Sequence, residues 1–201
     1  KIADLAPMRI EDYALIGDLQ TCALVGRDGS IDWFCVPHFH SPACFASLLA
    51  NEDHGRWKIA PRAEIRSTTR RYRGDSLILE TEIECDGGRV RITDFMPIRS
   101  KVADLVRIVE GLEGKVSMRM ELKIRFEYGS IVPWVRAIDD GIRAIAGPDM
   151  MYCRSKVPMR GEDFKTVSDF EIAAGDRVTF VLSWTETYGP DPEKLAYVEE
   201  R

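Results

Sequence analysis

The chain has 201 residues, which suits one large domain or two small ones, and 45% of them are hydrophobic and 30% charged. With 15 Gly and 10 Pro, this composition excludes collagen-like, low-complexity and wholly disordered proteins. The net charge of −5 is spread along the chain and argues against nucleic-acid or anionic membrane partners, and no apolar run is long enough to predict a transmembrane helix.

Cysteine usage points to a reducing compartment. Five cysteines, an odd number without CxxC spacing, predict reduced and mostly buried thiols. The first residues lack the long apolar stretch of a secretory signal. We therefore expect a cytoplasmic protein.

Alternation of apolar and polar residues, the period of a β-strand, runs through most of the chain. A first hairpin is predicted to join residues 21–25 to residues 31–36 through a turn rich in glycine. A short helix is predicted next, because Ser41 and Pro42 form an N-cap and first helical position before residues 43–49.

Further strands follow at regular intervals. Asp86-Gly87-Gly88 marks a second hairpin, and residues 111–115 are predicted to be a turn leading into a long strand. The predicted strands are 57–60, 65–72, 77–85, 89–95, 105–110, 116–126, 132–138, 142–146, 150–154, 165–172 and 177–185. So many strands predict an all-β fold, a large antiparallel sandwich of two sheets. Residues 192–201, after Asp191, predict the start of a C-terminal helix.

No familiar catalytic or phosphate-binding motif is present, neither GxGxxG, GxxxxGK[ST], GxSxG nor HExxH. Hydrolysis of a glycosidic bond needs two carboxyl groups at a set separation. Glu80, Glu82 and Glu84 alternate with apolar residues as a solvated strand face does, and no other pair stands out. We therefore predict no catalytic residue and no cofactor in this chain.

Two clusters have the composition of a binding surface. The first contains Trp33, His38, Phe39, His40 and Ser41, and the second contains Tyr128 and Trp134 near predicted strand ends. Aromatic planes with polar neighbours are typical of sugar-binding surfaces, although aromatic residues in β-proteins also fill cores. Thiol and imidazole groups are the natural ligands of zinc, but the spacing of Cys35, His38, His40 and Cys44 is not that of a standard zinc site, so no metal is predicted.

Several motifs, in their order and spacing, strongly resemble the N-terminal domain of bacterial glycoside hydrolase family 15, the glucoamylase and trehalase-like proteins. They are IEDYALIGD (10–18), GSIDWFCVP (29–37), SPACFASLL (41–49), RYRGD (71–75), TDFMP (93–97), LVRIVEG (105–111) and FVLSW (180–184). The resemblance implies a β-sandwich over residues 1–190 and the start of a helical linker over 191–201. The linker would lead to an (α/α)6 barrel, absent here, whose paired glutamates hydrolyse α-glucosidic bonds with inversion.

In that family a loop after the GSIDW strand lies close to the barrel's sugar pocket. Its usual pattern Pro-Arg-Phe-Asp-Ser-Pro is Pro37-His38-Phe39-His40-Ser41-Pro42 here, with histidine at both charged positions. The resemblance implies a non-catalytic domain that packs on the barrel and lines the pocket for an α-glucoside. The expected pocket or interface residues are Trp33, His38, Phe39, His40, Ser41, Tyr128 and Trp134. The alternatives are an independent carbohydrate-binding module or a self-associating domain that forms a homodimer.

Overall fold

The computed structural model describes residues 8–99, 101–189 and 192, and these are almost entirely β-structure. In this part of the chain fifteen strands follow one another, and the only helical segments are 3-10 turns at Ile10–Asp12, Ser47–Leu49, Glu52–His54 and Glu127–Gly129. The strands are β1 (Tyr13–Gly17), β2 (Cys22–Gly26), β3 (Ser30–Cys35), β4 (Ala43–Phe45), β5 (Arg56–Pro61), β6 (Ile65–Tyr72), β7 (Leu79–Cys85), β8 (Gly88–Phe95), β9 (Ala103–Lys123), β10 (Trp134–Ile138), β11 (Gly141–Ala146), β12 (Asp149–Ser155), β13 (Arg160–Glu162), β14 (Lys165–Ala173) and β15 (Arg177–Glu186).

The strands form two antiparallel sheets that share strand β9. The first sheet has the order β1-β2-β3-β5-β9-β14-β13, with β4 beside β3. The second has the order β6-β7-β8-β9-β15-β12-β11-β10. Apolar side chains from both sheets form one buried cluster, including Phe34, Trp57, Met118, Ile92 and Phe180. The prediction of a large antiparallel β-sandwich is confirmed.

Strand β9 runs through both sheets without a break. Its first part pairs with β8 and β15, and its second part pairs with β5 and β14. The predicted turn at residues 111–115 is therefore wrong. The glycines there bend one continuous strand from the second sheet into the first, with Gly114 at a φ of +67°, instead of reversing the chain.

A buried arginine, paired with an aspartate of its own sheet, ties the two sheets together across the core. Arg107 is fully buried, and its Nε lies 2.8 Å from Oδ1 of Asp94. The same guanidinium donates to the carbonyl oxygens of Trp57 and Gly29, each at 2.9 Å, and lies over the Trp57 ring. Because Arg107 belongs to the second sheet here, while Trp57 and Gly29 belong to the first, these bonds span the sandwich.

The predicted helix at residues 43–49 is also wrong. Ala43–Phe45 forms strand β4, with all three side chains fully buried, and only Ser47–Leu49 takes a helical turn. Pairing of Phe45 with Phe34 places the side chains of this strand in the core, so tertiary packing overrides the local signal for a helix. Ser41 does not cap a helix, because its hydroxyl oxygen accepts the backbone N–H of His38.

The predicted C-terminal helix and domain boundary, residues 191–201, lie outside the described residues except for Pro192. The hairpins at residues 21–36 and 79–95 are confirmed as β2–β3 and β7–β8. Within the described ranges, no helix has both the length and the apolar character needed to cross a bilayer.

Candidate functional site

The loop between β3 and β4 carries four of the predicted site residues. The rings of His38 and His40 stack with centroids 5.5 Å apart and planes inclined by 10°. The N–H of Phe39 donates to the carbonyl of Gln20 at 3.0 Å, and that of Ser41 to the carbonyl of His38 at 3.0 Å. These bonds hold the loop in one conformation while the side chains of His38, His40 and Phe39 remain in solvent.

A second contact joins the two sequence clusters. The rings of Trp33, on β3, and Tyr128, between β9 and β10, lie 6.2 Å apart and are tilted by 40°. Such a tilted pair at this distance is a favourable aromatic geometry. Trp33 and Tyr128 are far apart in the sequence. They meet because β4 packs against the Glu127–Gly129 turn.

Asp32 anchors this region from the other side of β3. Its carboxylate is almost fully buried and accepts hydrogen bonds from the hydroxyls of Tyr13 (2.8 Å), Ser30 (2.7 Å) and Ser47 (2.8 Å). These partners come from β1, β3 and the turn after β4. Hydrogen bonds to a carboxylate are among the stronger ones in proteins. Through Asp32, the GSIDW motif therefore fixes the backbone of β3 next to Trp33.

Trp134 lies apart from the Trp33–Tyr128 pair. It opens the edge strand β10, it is 72% exposed, and the guanidinium of Arg136 lies 4.7 Å from its ring centroid. Within the described residues, no ring contact links Trp134 to the other predicted site residues. The structure thus places the seven predicted residues in three groups: the histidine loop, the Trp33–Tyr128 pair and Trp134.

Trp134 borders a cleft of about 580 Å³ between β10 and the turn that joins β13 to β14. Phe164 stands in that turn on the opposite rim and is 85% exposed. Sequence reasoning missed Phe164, which lies just before the strand predicted at residues 165–172. The available signal was an aromatic residue directly after Gly161, Glu162 and Asp163, where a turn presents its side chain to solvent.

The profile of the trehalase-like N-terminal domain family matches residues 3–174. The chain belongs to this family. Similar proteins include Trehalase 2 of Sulfolobus acidocaldarius, 35% identical over 131 residues, which cover 65% of this chain and 21% of that protein. A trehalase of Thermoplasma volcanium is 28% identical over 158 residues, which cover 76% of this chain and 25% of that protein. A trehalase of Mycobacterium tuberculosis is 26% identical over 220 residues, which cover 92% of this chain and 32% of that protein. The chain spans between about a fifth and a third of these relatives.

The cysteines of this trehalase-like domain are poor candidates for metal ligands. All five are free thiols, and all but Cys22 are buried. Burial raises the pKa of the Cys44 thiol well above its ordinary value, and its Sγ donates to the carbonyl of Phe34. Across the described part of the chain, no three His, Cys, Asp or Glu side chains group closely enough to hold a metal ion.

The carboxyl groups of the trehalase-like domain have the electrostatics of structural ion pairs. A general acid in glycoside hydrolysis needs a raised pKa. Among the described residues, every carboxyl group with a displaced pKa has it lowered: Asp28, Asp53, Glu80, Glu121 and Asp169. Glu80, expected on a solvated face, is in fact 5% exposed, and Arg73 and Arg71 lower its pKa by hydrogen bonding.

Glu80 therefore makes stability depend on pH in acid. Its pKa is lower in the folded chain than the ordinary value of about 4.3, so its contribution is complete above that value and is lost as pH falls further. We expect Glu80→Gln to reduce the loss of stability between about pH 5 and pH 2. Urea unfolding midpoints measured across this range test the prediction, and an unchanged pH profile in the variant would contradict it.

Proposed function

We propose that this chain is the non-catalytic N-terminal domain of a cytoplasmic inverting α-glucoside hydrolase of glycoside hydrolase family 15, of the trehalase or glucoamylase type. It packs on a helical catalytic domain of the same polypeptide and lines that domain's sugar pocket. Membership of the trehalase-like N-terminal family supports this proposal. It is also supported by the fact that the chain matches only 21–32% of the length of the similar trehalases.

The observation that carries the docking role is the apolar surface of the segment between β9 and β10. Within residues 128–134 the large apolar side chains Tyr128, Ile131, Val132 and Trp134 are between 43% and 72% exposed. Large exposed apolar side chains concentrated in one short segment of a folded domain are typical of a contact surface for another protein element. We call Tyr128, Ile131 and Val132 the docking face.

The lining role rests on the loop between β3 and β4. Tyr128 of the docking face contacts Trp33, and Trp33 lies on the strand that leads into the His38–Ser41 loop. A catalytic domain seated on the docking face would therefore have this loop near its edge. The exposed rings of His38, Phe39 and His40 are then available to a sugar held in the partner's pocket.

The test uses the whole product of the gene and the 201-residue chain alone. We expect the chain alone to show no hydrolysis of trehalose, maltose or starch. We expect the whole product to release glucose with inversion, which NMR detects from the anomeric configuration of the product. Ile131→Asp in the whole product is expected to weaken attachment of the two domains, measured by limited proteolysis and hydrolysis rate. Leu77→Asp is the control, because Leu77 is about as exposed (41% against 43%) but lines a different cleft.

Three outcomes would contradict the proposal. One is turnover by the 201-residue chain that survives repurification. Another is a gene that encodes no further domain. The third is a dimer, seen by light scattering in the whole product and dissociated by Ile131→Asp, which would favour the self-associating alternative.

A further inference from the structure

The cleft beside Trp134 has the dimensions of a small-molecule site. Its volume of about 580 Å³ lies within the range of roughly 300–1,000 Å³ typical of such sites. Leu122, Ile124 and Ile142 contribute apolar surface, and Arg125 and Thr166 contribute polar groups. A concave surface that combines apolar lining with a few polar groups suits a ligand better than a flat protein face would.

The two rims of the cleft each present an aromatic ring to solvent. Trp134 is 72% exposed on one rim, and Phe164 is 85% exposed on the other. The Arg136 guanidinium over the indole restrains Trp134 through a cation–π contact. A phenylalanine side chain left in water forgoes the stabilisation that burial would give, so the isolated fold gains nothing from the position of Phe164.

The backbone holds Phe164 in this position at a further cost. Asp163 and Phe164 have φ values of +47° and +57°, in the left-handed region that bulky residues rarely adopt. A two-residue hairpin turn between the paired residues Glu162 and Lys165 calls for positive φ at both positions, but such turns are usually formed by Gly, Asn or Asp, so a phenylalanine there is unusual. The Nη2 of Arg125 donates to the carbonyl of Phe164 at 3.2 Å, and this hydrogen bond stabilises the turn.

Arg125 is itself unusual. It is 7% exposed, and its two hydrogen bonds go to the carbonyls of Ile124 and Phe164. No carboxylate of the described residues forms an ion pair with it, and burial lowers the pKa of its guanidinium. A guanidinium carries five N–H donors, so donors remain that can bond to oxygen atoms within the cleft.

The other charges around the cleft are balanced. Lys165 pairs with Glu121 at 3.1 Å, and Arg160 pairs with Asp169 at 2.6 Å and with Glu162 at 3.3 Å. Asp163 makes no hydrogen bond or ion pair with any described residue and stands exposed in the turn. Apart from these paired groups, the cleft offers the donors of Arg125, the carboxylate of Asp163 and the hydroxyl of Thr166 with little net charge, which matches a neutral ligand rich in hydroxyl groups.

We propose that the cleft between β10 and the β13–β14 turn is a saccharide-binding site of the domain itself. Trp134 and Phe164 stack on the apolar C–H faces of two pyranose rings, Arg125 donates to their oxygens, and Asp163 accepts from their hydroxyls. This site goes beyond the proposed docking role, because the four residues that would bind the sugar require no catalytic domain; of the docking face, only Val132 also lines the cleft.

The test is a titration of the 201-residue chain with maltotriose, trehalose and cellobiose, followed by calorimetry and by the NMR signal of the Trp134 indole. Saturable binding of at least one sugar is expected, and Trp134→Ala and Phe164→Ala should each weaken it about tenfold. Tyr188→Ala is the matched control, because Tyr188 is 80% exposed and does not line the cleft, so the affinity should stay unchanged. Circular dichroism verifies that each variant is folded.

Two results would overturn the saccharide site. One is the absence of saturable binding for all three sugars, and the other is binding that Trp134→Ala and Phe164→Ala leave intact. If these variants instead detach the catalytic region of the whole product while the sugar titrations stay flat, the cleft belongs to the docking surface and the saccharide site is likewise overturned. Failure of the docking proposal would appear only in the hydrolysis and proteolysis of the whole product, so the two proposals fail separately.

Discussion

Replacing Arg107 by methionine is expected to lower the free energy of unfolding by about 3–5 kcal/mol. The substitution leaves the carboxylate of Asp94 buried without its cation. It also removes the N–H groups that donate hydrogen bonds to the carbonyl oxygens of Trp57 and Gly29. The loss falls on both sheets, because these groups lie on opposite sides of the core. Urea denaturation followed by tryptophan fluorescence and circular dichroism measures it.

Two controls isolate the effect of burial. Arg66→Met removes an ion pair with Asp86 in which both side chains are more than 60% exposed, and it should cost no more than about 1 kcal/mol. Combining Arg107→Met with Asp94→Leu should recover part of the loss, because neither charge of this pair then remains buried. Equal stability of the Arg66 and Arg107 variants would show that the buried pair does not brace the sandwich.

Gly114→Ala is expected to destabilise the domain by roughly 3 kcal/mol or more. Gly114 has a φ of +67°, and a Cβ added to it would overlap the carbonyl oxygen of Gly87 on the neighbouring hairpin. The substitution thus combines backbone strain with a steric clash, at the point where β9 passes between the sheets. Thermal unfolding followed by circular dichroism measures the change.

Gly147→Ala separates these two causes. Gly147 has a similar φ of +59°, but nothing lies within 4 Å of the position its Cβ would take. It should therefore cost only the strain of a left-handed alanine, about 1–2 kcal/mol. If both alanine variants lose the same stability, close packing at the bend is not what requires glycine at position 114.

The alternation of side chains predicts most strands because half-buried antiparallel strands carry that pattern in their own sequence. Met118, Met120 and Leu122 face the core as expected. The errors arise where the pattern is ambiguous. Glycines in residues 111–115 serve a bend as readily as a turn, and Ala43–Phe45 is too short and too apolar for periodicity to separate a strand from a helix.

The candidate site was predictable to a lesser degree. Trp33 and Tyr128 could be chosen by residue type and by nearness to strand ends, but their contact depends on the long-range packing of β4. Phe164 and Arg125 form part of the cleft only because β10 and the β13–β14 turn end near one another. The local sequence does not indicate which loops and strand ends lie close together in the fold. The cleft could therefore be identified only from the three-dimensional structure.

The shared strand β9 also governs how this domain can fold and move. Its partners are spread from β5 to β15, so the chain must bring distant segments together before either sheet is complete. Such pairing between distant segments gives a high contact order, which slows folding. It also couples the two sheets mechanically: because β9 belongs to both, one sheet cannot move relative to the other without a change in the bend at residues 111–115.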